Sequence, residues 1–422
     1  MPSAHDRNLL RDLARQRQAA AASPLNQERK RLWYALHDGS PVRPMILAES
    51  GGVCDHRRPF PGAPNENPEL QCTDPWARGV EHQLRYDLWR FQVLQDDFVL
   101  EPAFNLAWKT SFTNFGVEPV VHQLEGDSLT ARSWEAPLKD IKADFHKLKH
   151  RTFAVDRAAT LGEKGRLEEI FGDLLPVRLR GAFWWTFGLT IQAIDLIGLE
   201  NLMLFMYDDP EGLHQLLAFL RDDNLALARW AESEGLFSLN NENDYIGSGG
   251  IGYTRRLPPP EWQAGNPVRL RDQWLLLESQ ETVGVGPDLY REFIFPYHKE
   301  LAEQAGLVYY GCCEPLHSRW EVVKEVPNLR ACSIAPLCNQ EIMAEAIAGD
   351  YIFSRKPNPT LISTGVFNEE LIRQDLRATL RLAKHHGCRL ELIMKDVHTL
   401  NNEPWRLARW IQLAREEIAT NW

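Results

Sequence analysis

No stretch of eighteen or more consecutive apolar residues occurs in this sequence. The longest candidate, LTIQAIDLIGLENLMLFMY, is interrupted by Gln192, Asp195, Glu200 and Asn201, so no membrane-crossing helix is expected. A basic excess is lacking too, since 47 Lys and Arg against 58 Asp and Glu leave a formal net charge of -11. Nucleic acid, whose backbone requires a concentrated cationic surface, is therefore excluded as a partner. The opening MPSAHDRNLLRDLARQRQAAAAS mixes charge with alanine and holds no apolar segment of secretory length, which predicts a cytoplasmic protein. An even cysteine framework is missing: seven cysteines (54, 72, 312, 313, 332, 338, 388) are an odd number in a long chain, and they read as reduced thiols. Taken singly, each is a small buried apolar residue. No glycine-rich phosphate turn follows an early strand; GSGGIG (247–252) comes after a polar loop and reads as a flexible active-site loop.

What is present is enough apolar material for a large core: 44% hydrophobic and 25% charged residues over 422 positions. Residues 1–40 read as an N-terminal helical arm, with Gly39 as the stop after NQERKRLWYALHD. RPMILAES is a short strand, and a Pro-, Gly- and Asn-rich loop follows it. Residues near 95–155 read as an irregular β-containing insertion. From there apolar strands alternate with amphipathic helices: PVRLRGAFWW, LVYYGCCE, LRACSIAP, YIFSRKP and RLELIMKD are each followed by a helical segment. Repeated βα units predict a parallel sheet covered by helices. At this length and count the expected fold is α/β, a single (β/α)8 TIM-like barrel over 41–422 with the arm and the insertion added.

In such a barrel the residues just past the strand ends surround the active site. Cys312, Cys313 and Glu314 end one strand; Lys395, Asp396 and His398 end the last; Asn240 to Asp244 end an earlier one. Thiolate, imidazole and carboxylate are zinc ligands, and a catalytic site uses about three with one position open. Cys312, Cys313, Glu314 and His398 are the candidate metal donors. Side-chain alternation along a strand sends vicinal cysteines to opposite faces, so a turn is required there. CDH (54–56) follows the first strand and could reach the same mouth. Cys332 and Cys388 read as wall and far-side residues, and His317, His385 and His386 as helix-end residues. Trp184 and Trp185 suit either an aromatic substrate wall or packing under loops.

The order GAFWWTFGLT, VGVGPDLYREFIFPYHKELAEQAG, YYGCCE, LISTGVFNEELIRQDL, LIMKDVHTLNNEPWRLARWIQLA resembles the uroporphyrinogen decarboxylase-like superfamily over roughly residues 170–419. That superfamily divides into tetrapyrrole decarboxylases and zinc-dependent methyltransferases working with corrinoid proteins. The arginine-rich RQAGR segment of the decarboxylases is replaced by AESGGVCDHRRPF, which keeps Arg57 and Arg58 without the motif. The His-x-Cys of the methyltransferases is matched at Cys312, with Tyr310 in place of the His, and His398 stands near the place of their last Cys. The resemblance therefore implies methyl transfer between a small organic substrate and a corrinoid carried by a partner protein, assisted by bound zinc. Glu242 or Asp244 would serve as acid or base, Lys395 would neutralise a substrate carboxylate, and Trp184, Trp185, Asn241 and Asn243 would bind substrate. A metal-independent decarboxylase or lyase is the alternative, and a non-catalytic binding barrel the third reading. A homodimer is the expected assembly.

Overall fold

The computed structural model describes residues 2–49, 70–123, 132–181 and 183–422. The arm is two helices rather than one. Ser3 opens α1 (Ala4–Ala22) with a capping box to Asp6, and Ser23 ends it while capping α2 (Pro24–Asp38), whose first turn carries Pro24 and which Gly39 closes at φ 90. The arm is docked through Trp33, whose indole N–H donates to the Asp97 carbonyl at 2.7 Å.

The strands, in chain order, are β1 (Met45–Ala48), β2 (Phe104–Ala107), β3 (Thr110–Phe112), β4 (Val120–Gln123), β5 (Arg132–Glu135), β6 (Phe153–Val155) and β7 (Val177–Arg180). They continue as β8 (Tyr245–Gly247), β9 (Gly250–Ile251), β10 (Trp274–Leu277), β11 (Leu307–Tyr310), β12 (Leu329–Ile334), β13 (Ile352–Arg355) and β14 (Arg389–Met394). Six form one parallel sheet in the order β1-β14-β13-β12-β11-β10. β2 and β7 pair in parallel separately, while β3 with β6 and β4 with β5 make antiparallel pairs in the insertion. The ladder among the described residues is thus six strands wide, not a closed ring of eight. Beside β10, residues 238–240 bond through side chains: Asn240 both donates to the Trp274 carbonyl and accepts its N–H, and Gln273 donates to the Ser238 carbonyl.

Both faces of the main sheet are buried, as parallel sheets require. Leu275, Leu277, Val308, Tyr310, Ile334 and Phe353 face the helix layer. Trp274, Leu276, Leu307, Tyr309, Ala331 and Ile352 face the other way, into an interior that Ile246 and Leu257 help to fill. The helical reading of 287–306 is interrupted at Ile294, where Pro296 restarts the helix as Phe295–Ala302. No described helix is long and apolar enough to cross a membrane.

GSGGIG is not a flexible loop. It is the turn and second strand of the β8–β9 hairpin, which lies in the sheet interior with Ile246, Ser248 and Ile251 buried. Glycine allows this approach: a Cβ on Gly247, at φ +148, would stand 2.6 Å from the Tyr309 ring and 2.8 Å from Leu276. Gly247→Ala is expected to destabilise the chain by about 2 kcal/mol or more, through strain and overpacking together. Urea unfolding measures this, and a wild-type midpoint would show that the hairpin does not sit against Tyr309.

Candidate active site

The thiols meet because the chain turns at Gly311, where φ is +95. Strand alternation ends there, and Cys312 and Cys313 emerge with their sulfurs 3.6 Å apart, the first buried and the second exposed. Lys395, just past β14, brings its ammonium to 3.3 Å from Cys312 Sγ, 3.2 Å from Ser248 Oγ and 3.3 Å from the Asp396 carboxylate. Cys313 Sγ lies 3.8 Å from Asp396 Oδ2. The pair titrates as a unit. The sulfur-to-sulfur hydrogen bond holds the first ionisation low, on exposed Cys313, and pushes Cys312 well up; burial adds to that rise and Lys395 opposes it. Burial works against the Lys395 charge, but Cys312 and Asp396 outweigh it and keep the ammonium protonated.

Glu314 is fully buried and occupied by main chain: one oxygen accepts the Ser279 N–H at 2.9 Å and the other the Cys312 N–H at 2.8 Å. It ties the end of β10 to the end of β11. His398 is exposed in the segment after β14. No three His, Cys, Asp or Glu side chains stand together as metal donors among the described residues. The expected zinc set is therefore not assembled: an ammonium faces Cys312, Glu314 is saturated by amides, and His398 lies apart. Tyr310, at the motif's histidine position, turns to the helix layer and bonds to Tyr290 at 2.5 Å and His298 at 3.2 Å. Cys54, His56, Arg57 and Arg58 lie outside the described residues.

Below the thiols runs a buried polar network. Lys356 donates to the Tyr309 hydroxyl at 2.8 Å and to the Ser354 carbonyl at 3.1 Å, Tyr309 donates to Ser354 Oγ at 2.7 Å, and Ser354 donates to Glu391. Burial pulls Lys356 down to about 7, against the attraction of Glu391. Burial likewise raises the Glu391 carboxyl. Beside Cys312 stands Glu278, also fully buried, with one oxygen accepting the Gln280 N–H at 3.1 Å and Oε1 lacking a partner. Burial, Glu281 and Glu314 push its pKa well above the ordinary carboxyl range. Glu278 and Glu391 escaped the sequence reading, whereas Lys356 belongs to the strand end 354–357 that the sequence places at the mouth. The signal available for Glu278 was position, since it follows β10 in WLLLE.

The remaining candidates are divided. Asp244 Oδ1 accepts from Arg180 at 2.6 Å, and Arg180 also reaches Glu101 at 3.4 Å. Burial raises the Asp244 carboxyl to about 7; Arg180 opposes and Glu101 adds to that rise. Asp244, Arg180, Trp184, Trp185 and Tyr245 line a cavity of about 110 Å3. Trp185 donates to the Tyr245 hydroxyl at 2.9 Å, and Trp184 packs on Phe187 at 4.4 Å between centroids. Glu242 instead accepts from Lys30 at 2.7 Å and Tyr34 at 3.0 Å on α2, a docking contact for the arm. Asn241 donates to the Leu257 carbonyl at 2.7 Å, and Asn243 Oδ1 is buried without a partner.

The ammonium beside the dithiol predicts unusual reactivity. Alkylation of Cys313 should gain speed at a lower pH than a free thiol, whose pKa is about 8.5. Lys395→Met should move that profile upward by about one pH unit. Iodoacetamide labelling rates read by mass spectrometry test both; coincident profiles for the two proteins would remove Lys395 from the thiol's environment.

No family model matches the chain, and no curated protein matches it. Among solved structures, a methyltransferase from Methanosarcina mazei is similar over 93% of this chain and 99% of its own, at 13% identity and a TM-score of 0.49.

Proposed function

We propose that the chain is an enzyme that transfers a methyl group between a small organic substrate and a corrinoid carried by a partner protein, on a scaffold of the (β/α)8 type. Residues 238–240, bonded through side chains to the start of β10 and to Gly181 just past β7, and the separate parallel β2–β7 pair support the barrel reading by lying beside the sheet's edge strand. The observation that carries the function is the rim. Trp185 after β7, Val283 after β10, Leu337 after β12 and Val366 after β13 are exposed large apolar side chains on strand-to-helix segments, with Leu337 and Val366 each 77% exposed. Apolar side chains exposed on the segments that follow these strands suit a macromolecular carrier rather than a free small co-substrate.

The chemistry rests on the chain's own residues, because the zinc donors do not converge. Lys395 places a fixed positive charge at the mouth, where it stabilises an anionic heteroatom that has lost, or is about to accept, a methyl group. When the methyl leaves the substrate for the corrinoid, the heteroatom keeps the bonding pair and needs a proton. Glu278, buried near Cys312 with its carboxyl pKa raised by that burial, is the group to supply it. The Lys356–Tyr309–Ser354–Glu391 network holds the floor rigid.

The test is turnover with a methylated corrinoid protein and with free methylcobalamin, followed by corrinoid absorbance. Lys395→Met and Glu278→Gln should each lower kcat about 100-fold. Leu337→Asp with Val366→Asp should raise KM for the carrier protein about tenfold and leave the methylcobalamin rate unchanged. Carbon dioxide release from a carboxylated substrate with no corrinoid present would instead establish the lyase alternative.

A further inference from the structure

We infer that the cavity beside the Arg180–Asp244 pair receives an alkylated ammonium group of the substrate, separate from the heteroatom that carries the transferred methyl, an assignment that rests on the methyl-transfer reading and narrows it. Three rings line the cavity, Trp184, Trp185 and Tyr245. Aromatic faces offer little to a neutral hydrogen-bonding group but attract a cation, most strongly one too alkylated to be well hydrated. The size agrees: about 110 Å3 is well below the several hundred of a pocket enclosing a whole ligand, and suits one headgroup.

The second observation is the unpartnered oxygen. Asp244 Oδ1 is taken by Arg180, while Oδ2 is buried without a side-chain partner, the Glu242 backbone N–H being the other group that favours the charged carboxyl. Such an oxygen costs about 1–3 kcal/mol or more unless something compensates it. Arg180 cannot do so, being shared between Asp244 and Glu101. Of the other nearby cations, Arg178 lies 3.9 Å from Glu101 with its side chain 45% exposed, and Lys30 lies on Glu242. Among the described residues only Arg180 reaches Asp244, and Glu101 shares it. A ligand cation seated against the rings supplies the missing charge at Oδ2. The trapped Asp244 carboxyl, pushed up to about 7 chiefly by burial and opposed by Arg180, fits a group waiting for a counter-charge.

The experiment titrates the full-length protein with choline and with its neutral isostere 3,3-dimethylbutan-1-ol, by calorimetry and tryptophan fluorescence. Choline is expected to bind saturably and about tenfold tighter than the alcohol. Asp244→Asn and Trp185→Leu should each weaken choline about tenfold and leave the alcohol unchanged. Trp185 is on the rim and partly exposed, so its variant carries the test if loss of the Arg180 partner prevents Asp244→Asn from folding. Equal affinity for choline and the alcohol, or choline affinity that the Trp185 variant does not change, overturns the assignment. Binding needs no corrinoid, so the two readings fail separately. Choline selectivity without methyl transfer would uphold the ammonium site and remove the methyltransferase; transfer from a neutral methyl donor without choline binding would do the reverse.

Discussion

A lysine ammonium buried inside a parallel sheet must be surrounded by acceptors, and the rest of the site depends on how Lys356 meets that requirement. Its partners come from strands far apart in sequence: Tyr309 on β11, Ser354 on β13, and Glu391 on β14 behind Ser354. Register brings them together, since Ser354 sits opposite Glu391 across β13–β14 and opposite Ser333 across β12–β13. A slip of one residue would turn each of these side chains to the helix layer and leave charges facing apolar side chains. The network therefore fixes the strands as much as the strands fix it.

Above that floor, the β8–β9 hairpin and the strand ends share one polar junction. Ser248, at the hairpin tip, reaches Lys395 and, at 3.4 Å, Ser333, while Cys312 offers its sulfur to the same ammonium and its carbonyl to Ser333. The thiol pair is thus coupled through Lys395 to β14, through Ser333 to β12 and through Glu314 to β10. In this arrangement the charge nearest the cysteines is a cation, and the neighbouring carboxylate serves main-chain amides.

A comparable constraint anchors the opposite side. Asp97, fully buried, accepts from Arg43 at 2.8 Å, from Arg415 at 3.0 Å and from the Ile46 N–H at 2.9 Å. Burial alone would raise its carboxyl, but the two guanidinium groups and the amide outweigh that and hold it below the ordinary range. The same residue's carbonyl receives Trp33 of α2, so the helical arm, β1 and the last helix are fastened at one charged point.

The sequence by itself determined the alternation of apolar strands and helices, the placement of Cys312, Cys313 and Lys395 at strand ends, and the helical character of the arm. These follow from short-range periodicity, capping residues and the position of glycine and proline, which act within a few residues of one another. It also marked Asp244 and the two tryptophans as polar and aromatic groups near strand ends, where tertiary packing then put them in one cavity. It could not show that Glu242 serves the arm, that GSGGIG folds inward, that Glu314 is saturated by amides, or that Glu278 and Lys356 are buried at the centre. Those outcomes depend on which distant group reaches a donor or acceptor first. Only strand register and the left-handed turn at Gly311 decide that, because both set the direction of a side chain, whereas local spacing sets only its place along the chain.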